Sequence, residues 1–88
     1  MDRDVLVREV CRIVAEVAEV PVEQVTVETR FADLRLDSMQ LLEVVAMSEK
    51  EFRVSLADDV LPRLTSVHAA AEAVLALVDP QGKTGSSA

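Results

Sequence analysis

The chain holds one stretch with strand propensity and nothing to pair it with. Val25-Thr26-Val27-Glu28-Thr29 carries β-branched residues as a short strand would. No second run of that kind exists. A lone strand leaves its backbone N–H and C=O groups unpaired, so 25–29 reads as loop laid on a helical core. Composition agrees, since the 88 residues include only 2 Gly and 3 Pro and half are apolar. A chain of this length makes one domain.

Helical periodicity accounts for most of the rest. In 2–19, Leu6, Val10, Ile13, Val14 and Val17 form a continuous apolar stripe, and Pro21 marks the end. Residues 20–36 have no helical period and read as a long loop anchored by Pro21, Val22, Val25, Val27, Phe31, Leu34 and Leu36. Loops this long in small domains are more often functional than not. A second helix spans 38–52, capped by Asp37 with Gln40 at the reciprocal position of a capping box. Its Leu41, Val44, Val45 and Phe52 share a face, with Leu42, Glu43, Ala46 and Glu49 beside it. A short helix is expected around Ala57–Leu61, ended by Pro62. Thr65 or Ser66 caps the last helix, which buries Val67, Ala70, Ala71, Val74 and Val78. The expectation is an all-α four-helix bundle: three long helices, one short helix, and a long loop between helices one and two. Residues 1–78 form the domain, and 79–88 are a disordered tail rich in Gly and Ser.

Charge narrows the function. Nine Lys and Arg stand against 16 Asp and Glu, a formal net charge of −7. Such a surface repels nucleic acid and anionic membranes and suits basic protein surfaces. Aromatic residues are only 2%, too few for a base-stacking platform. No signal-peptide pattern and no membrane-length apolar run occurs, so a cytoplasmic location and a monomer are expected. Catalytic machinery is sparse. Cys11, the single cysteine, lies beside the buried stripe and reads as a core thiol. His68, the single histidine, falls in the first turn of the last helix and reads as a boundary residue. Glu16, Glu19, Glu23 and Glu28 read as a solvated face, because EF-hand spacing is missing. No catalytic residues and no metal ligands are assigned, and the chain is expected to be a non-enzyme.

One constellation remains, FADLRLDSMQLLEVV, in which Asp37-Ser38 joins the long loop to a helix start. Asp-Ser before an apolar run is an ordinary cap. Its setting adds chemistry, because a hydroxyl at the positive end of a helix favours an attached phosphate. No base lies nearby, so another enzyme would have to modify Ser38.

Here the sequence resembles the acyl carrier proteins, over roughly Val5 to Val78. The resemblance rests on Asp37-Ser38-Met39, on Phe31-x-x-Leu34 before it, on Glu43 and Phe52 in the second helix, and on Leu64-Thr65-Ser66-Val67. In that family the triplet is usually Asp-Ser-Leu, and its Ser carries 4′-phosphopantetheine through a phosphodiester. The resemblance therefore implies that Ser38 is the attachment site and that a phosphopantetheinyl transferase modifies it. Acyl groups would ride on the prosthetic thiol as thioesters, delivered to acyl-loading and acyl-processing enzymes with basic docking patches. It points to Arg35, Asp37, Met39, Leu42, Glu43, Ala46, Glu49 and Glu51 as the partner-binding residues around the second helix.

Three positions depart from the family pattern. Arg35 stands where Gly is usual, Met39 replaces the usual Leu, and Ser48 interrupts the apolar stripe. Met39 conserves volume. The Ser48 hydroxyl reads as bonded back to its own helix. Two other functions compete. One is an aminoacyl or peptidyl carrier of a nonribosomal-peptide-type pathway, whose site usually begins with paired Gly where this chain has Arg35-Leu36. The other is an acidic helical adaptor with no prosthetic group. The reading preferred here is a discrete bacterial acyl carrier, in specialised-metabolite (polyketide) or fatty-acid biosynthesis.

Overall fold

The computed structural model describes residues 2–56 and 58–78. Those residues form three α-helices, α1 (Arg3–Ala18), α2 (Ser38–Phe52) and α3 (Val67–Val78). Short 3-10 turns lie at Val22–Gln24, Phe31–Leu34 and Asp58–Arg63. The fold is all-α. The proposed tail, 79–88, lies outside the described residues.

Helix α1 packs against both α2 and α3. Its whole expected stripe, Leu6, Val10, Ile13, Val14 and Val17, is buried. Burying one such side chain is worth about 1.5–3 kcal/mol, which offsets the modest helix propensity of its valines. From the other side, Val44 and Phe52 of α2 and Val67, Ala70, Ala71 and Val74 of α3 close the core. Leu41, Val45 and Val78 pack at its margin, partly buried. Ser48 sits fully inside, 2% exposed, and no buried side-chain polar atom among the described residues lacks a hydrogen-bond partner.

The long loop is structured. Thr26 N–H donates to Thr29 Oγ1 at 2.8 Å, closing a turn within the stretch of strand propensity. Phe31 N–H then donates to Thr65 O and Val67 N–H to Thr29 O, both at 3.0 Å, making one antiparallel bridge between Arg30 and Ser66. Thr29 and Phe31 thus find backbone partners at the start of α3, while Val25, Thr26 and Thr29 N–H groups bond within the loop. Val25 and Phe31 are buried as anchors, whereas Val22 is 43% exposed. At the start of α3, Ser66 is the cap, with Oγ accepting from Ala69 N–H at 3.1 Å.

The short helix expected around 57–61 differs from its expectation. Residue 57 lies outside the described residues, and Asp58–Arg63 is a 3-10 segment with Pro62 inside it. Proline forfeits an i→i−4 bond in an α-helix, and a short 3-10 piece has few ladder bonds to lose.

Three segments end the same way. Glu19, Arg35 and Arg53 have φ of 61°, 58° and 57°, and each follows a helical segment. Val20 N–H reaches back to Ala15 O, Leu36 N–H to Phe31 O and Val54 N–H to Glu49 O. These are Schellman closures, whose left-handed residue is usually Gly. Both glycines of this chain lie in 79–88, so ordinary residues take the left-handed conformation here.

Candidate functional site

Ser38 is the first residue of α2, and it does not cap the helix. That role belongs to Asp37, whose Oδ1 accepts from Gln40 N–H at 2.8 Å while Gln40 Oε1 accepts from Asp37 N–H at 3.1 Å. The expected capping box is present on both sides. Gln40 also donates from Nε2 to Val17 O at 3.4 Å, tying the start of α2 to the last turn of α1. The Ser38 side chain is left exposed, at the positive end of a 15-residue helix. A phosphodiester on its Oγ would displace no cap.

Ser38 lines one recess, and a second lies farther along α2. The first, of about 380 Å³, is lined by Ser38, Leu41, Leu61, Pro62 and Leu64. The second, of about 420 Å³, runs between α2 and the 3-10 segment, walled by Leu42, Val45, Ala46, Leu56, Val60 and Leu61, with Glu49 on its rim. Leu61 lines both. An exposed hydroxyl beside an aliphatic groove fits a long, flexible prosthetic arm with an acyl end.

The residues assigned to partner binding separate into two groups. Met39 is 74% exposed and Leu42 50%. With Glu43 and Ala46, also exposed, they follow one face of α2 down from Ser38. Asp37 and Arg35 are exposed at its head, and Arg35 is the left-handed residue three positions before Ser38. Glu49 and Glu51 are engaged elsewhere. Glu49 Oε2 accepts from Leu56 N–H at 2.7 Å. Glu51 lies 3.6 Å from Arg12, which also reaches Glu9 at 2.9 Å and Glu16 at 3.5 Å. Sequence reasoning missed this Arg12 cluster. The i−3 and i+4 spacing of Glu9 and Glu16 around Arg12 was the available signal. It also passed over Lys50, exposed between Glu49 and Glu51.

The nucleophile candidates stay apart from this site. Cys11 is buried in α1, and burial pushes its thiol pKa up. His68 is exposed and lines a shallow recess with Arg3, Asp4 and Arg8. No group of three metal-ligating side chains occurs among the described residues, and no helix there is long and apolar enough to cross a membrane.

Comparison with known proteins places the same residues in context. The family model described as "Phosphopantetheine attachment site" matches residues 8–74. An acyl carrier protein of Acidothermus cellulolyticus is 32% identical over 68 residues, covering 76% of this chain and 81% of that protein. A chloroplastic acyl carrier protein of Brassica napus is 39% identical over 56 residues, covering 64% of this chain and 42% of that protein. A chloroplastic acyl carrier protein SF2 of Brassica campestris is 38% identical over 56 residues, with the same coverage. The chain spans less than half the length of these two plant relatives. The family match runs from the middle of α1 to near the end of α3, and it includes Ser38 and its helix start. The chain therefore belongs to the phosphopantetheine-attachment family, whose prosthetic group is covalent 4′-phosphopantetheine.

Proposed function

We propose that this chain is an acyl carrier, with Ser38 the residue that bears the prosthetic arm. The observation that carries the reading is an exposed serine, relieved of capping by Asp37, at the start of α2 within the family match. Once bound, the group supplies a thiol that holds an acyl chain as a thioester. The protein's own part is presentation. Asp37 and Gln40 fix the helix start, and the groove between α2 and Asp58–Arg63 offers aliphatic cover near it. In this reading Asp58–Arg63 serves as the short fourth element of a four-helix arrangement within a 1–78 domain.

The transferase and the acyl-handling enzymes dock along Asp37, Met39, Leu42, Glu43 and Ala46, with Arg35 as a selector at the head of the face. The chain acts as a monomer in the cytoplasm, and itself catalyses nothing. Aliphatic groove walls favour acyl cargo over aminoacyl cargo. The test is incubation with coenzyme A and a broad-specificity phosphopantetheinyl transferase, followed by mass spectrometry of peptides. A single phosphopantetheine on the peptide containing Ser38 is the expected result. An unmodified chain, or label on another serine, refutes the assignment. Charge at the docking face mainly sets encounter rate, so Glu43→Lys should slow labelling most at low salt.

A further inference from the structure

Helical spacing puts Glu49 beside the docking face, but its carboxylate turns to the chain that follows α2. Glu49 O accepts Val54 N–H at 3.2 Å, and Glu49 Oε2 accepts Leu56 N–H at 2.7 Å. One residue thus holds three of the four residues after the helix, Arg53 and Val54 through its main-chain oxygen and Leu56 through its side chain. Arg53, the first residue after the helix, is left-handed, which turns the chain back toward α2. Leu56, fixed in this way, is a wall of the groove of about 420 Å³, opposite Leu42 and Ala46. Both Glu49 and Leu56 are only partly exposed, so the bond is shielded better than a surface pair.

We propose that Glu49 is a positioning residue for the groove: by holding Leu56 in place, it sets which acyl chains the groove can shelter. This rests on the carrier reading above, because only a loaded arm brings a chain to the groove. Shelter grows with chain length, by about fourfold per buried methylene at most, so a medium aliphatic chain depends on Leu56 far more than an acetyl group does. An acid serving only partner docking would leave the groove unchanged when replaced.

The test compares the full chain with Glu49→Ala, Glu49→Lys and Glu49→Gln. Alanine and lysine have no acceptor for Leu56 N–H, whereas glutamine keeps one. Amide hydrogen exchange in the unloaded protein reads the tie directly. Loss of a hydrogen bond to a charged group should speed exchange at Leu56 by about tenfold or more in the alanine and lysine variants, with Val10 and Val14 unchanged. Glutamine should stay near wild type. Each protein is then loaded with octanoyl-phosphopantetheine or acetyl-phosphopantetheine, and thioester hydrolysis is followed in mild base. The octanoyl thioester should outlast the acetyl one in wild type and in Glu49→Gln, with the ratio falling toward one in the other two. Unchanged Leu56 exchange in both acceptor-less variants overturns the tie. Altered exchange with an unchanged octanoyl-to-acetyl ratio overturns the role in cargo choice. Failure of wild type to accept any arm on Ser38 refutes the carrier reading and the cargo role with it, while the exchange result stands separately.

Discussion

Arg35→Gly should stabilise the protein, although it removes a side chain from the loop before the attachment helix. Arg35 has φ 58° and ψ 39°, a left-handed conformation in which its Cβ crowds the backbone. That conformation costs an ordinary residue about 1–2 kcal/mol. Glycine escapes the cost but gives the unfolded chain more freedom, which takes back about 0.4–1 kcal/mol. The net expectation is a gain of about 0.5–1 kcal/mol, provided the guanidinium contributes nothing. Arg35 is exposed and forms no ion pair among the described residues, so little is lost with it. For a domain of this size the gain raises Tm by about 2–8 °C. Thermal and urea unfolding followed by circular dichroism measure it. Arg35→Ala is the control: it keeps the Cβ and loses the guanidinium, so it should not stabilise. Glu19→Gly and Arg53→Gly test the same backbone conformation at φ 61° and 57°. A lower Tm for Arg35→Gly, or an equal rise in Arg35→Ala, would refute backbone strain as the controlling effect. A stabilised Arg35→Gly that loads less well with its dedicated enzyme would show that strain is retained for partner choice.

Other variants probe separate features. Ser38→Ala should block phosphopantetheine labelling while shifting Tm little, because Asp37 holds the cap; Asp37→Ala should cost about 1 kcal/mol instead, both read by urea melts beside mass spectrometry. Cys11 should react slowly with iodoacetamide in the native protein and quickly in urea. Burial raises its pKa above the ordinary 9.0, so the fold favours the neutral thiol; the stability it lends is complete below that value and is lost as pH climbs through the raised one. The hydrogen bond from Arg3 lowers the Glu72 pKa below 4.5. Its small contribution is therefore present above 4.5 and lost as pH falls through the lowered value, and Glu72→Gln should flatten the acid limb of a stability profile that wild type shows.

Much of the fold was legible because helix periodicity and core burial obey one rule. All five residues of the apolar stripe of α1 are buried, with Cys11 beside them and Ala15, which the stripe omits, and the capping box at Asp37 and Gln40 could be read from spacing alone. The loop was legible only in outline. Val25 and Phe31 anchor it as expected, but its backbone partners, Thr29 with Val67 and Phe31 with Thr65, lie more than thirty residues apart, and no local pattern encodes such pairings. The short helix is instead a 3-10 segment that runs through Pro62, where the sequence predicts a stop. In an α-helix it would be one; a tighter, shorter turn accommodates it.

The site divides along the same line. Position on a helix predicted that Met39, Leu42, Glu43 and Ala46 share an exposed face, and they do. It also grouped Glu49 and Glu51 with them, since acids at these spacings look alike in one dimension. What separates them is contact outside the helix: Arg12 of α1 draws Glu51, and the turn after Arg53 delivers Leu56 N–H to Glu49. An acid already bonded to an internal donor keeps its charge but is less free to turn toward a partner. Asp37 and Glu43 are exposed acids near Ser38, while Lys50 is an exposed cation farther along α2. A partner reading only net charge would meet −7; one reading the helix meets acid at its head and a base toward its end. That order is set by geometry, so composition alone fixes the sign of this chain's net charge but not its pattern on the helix.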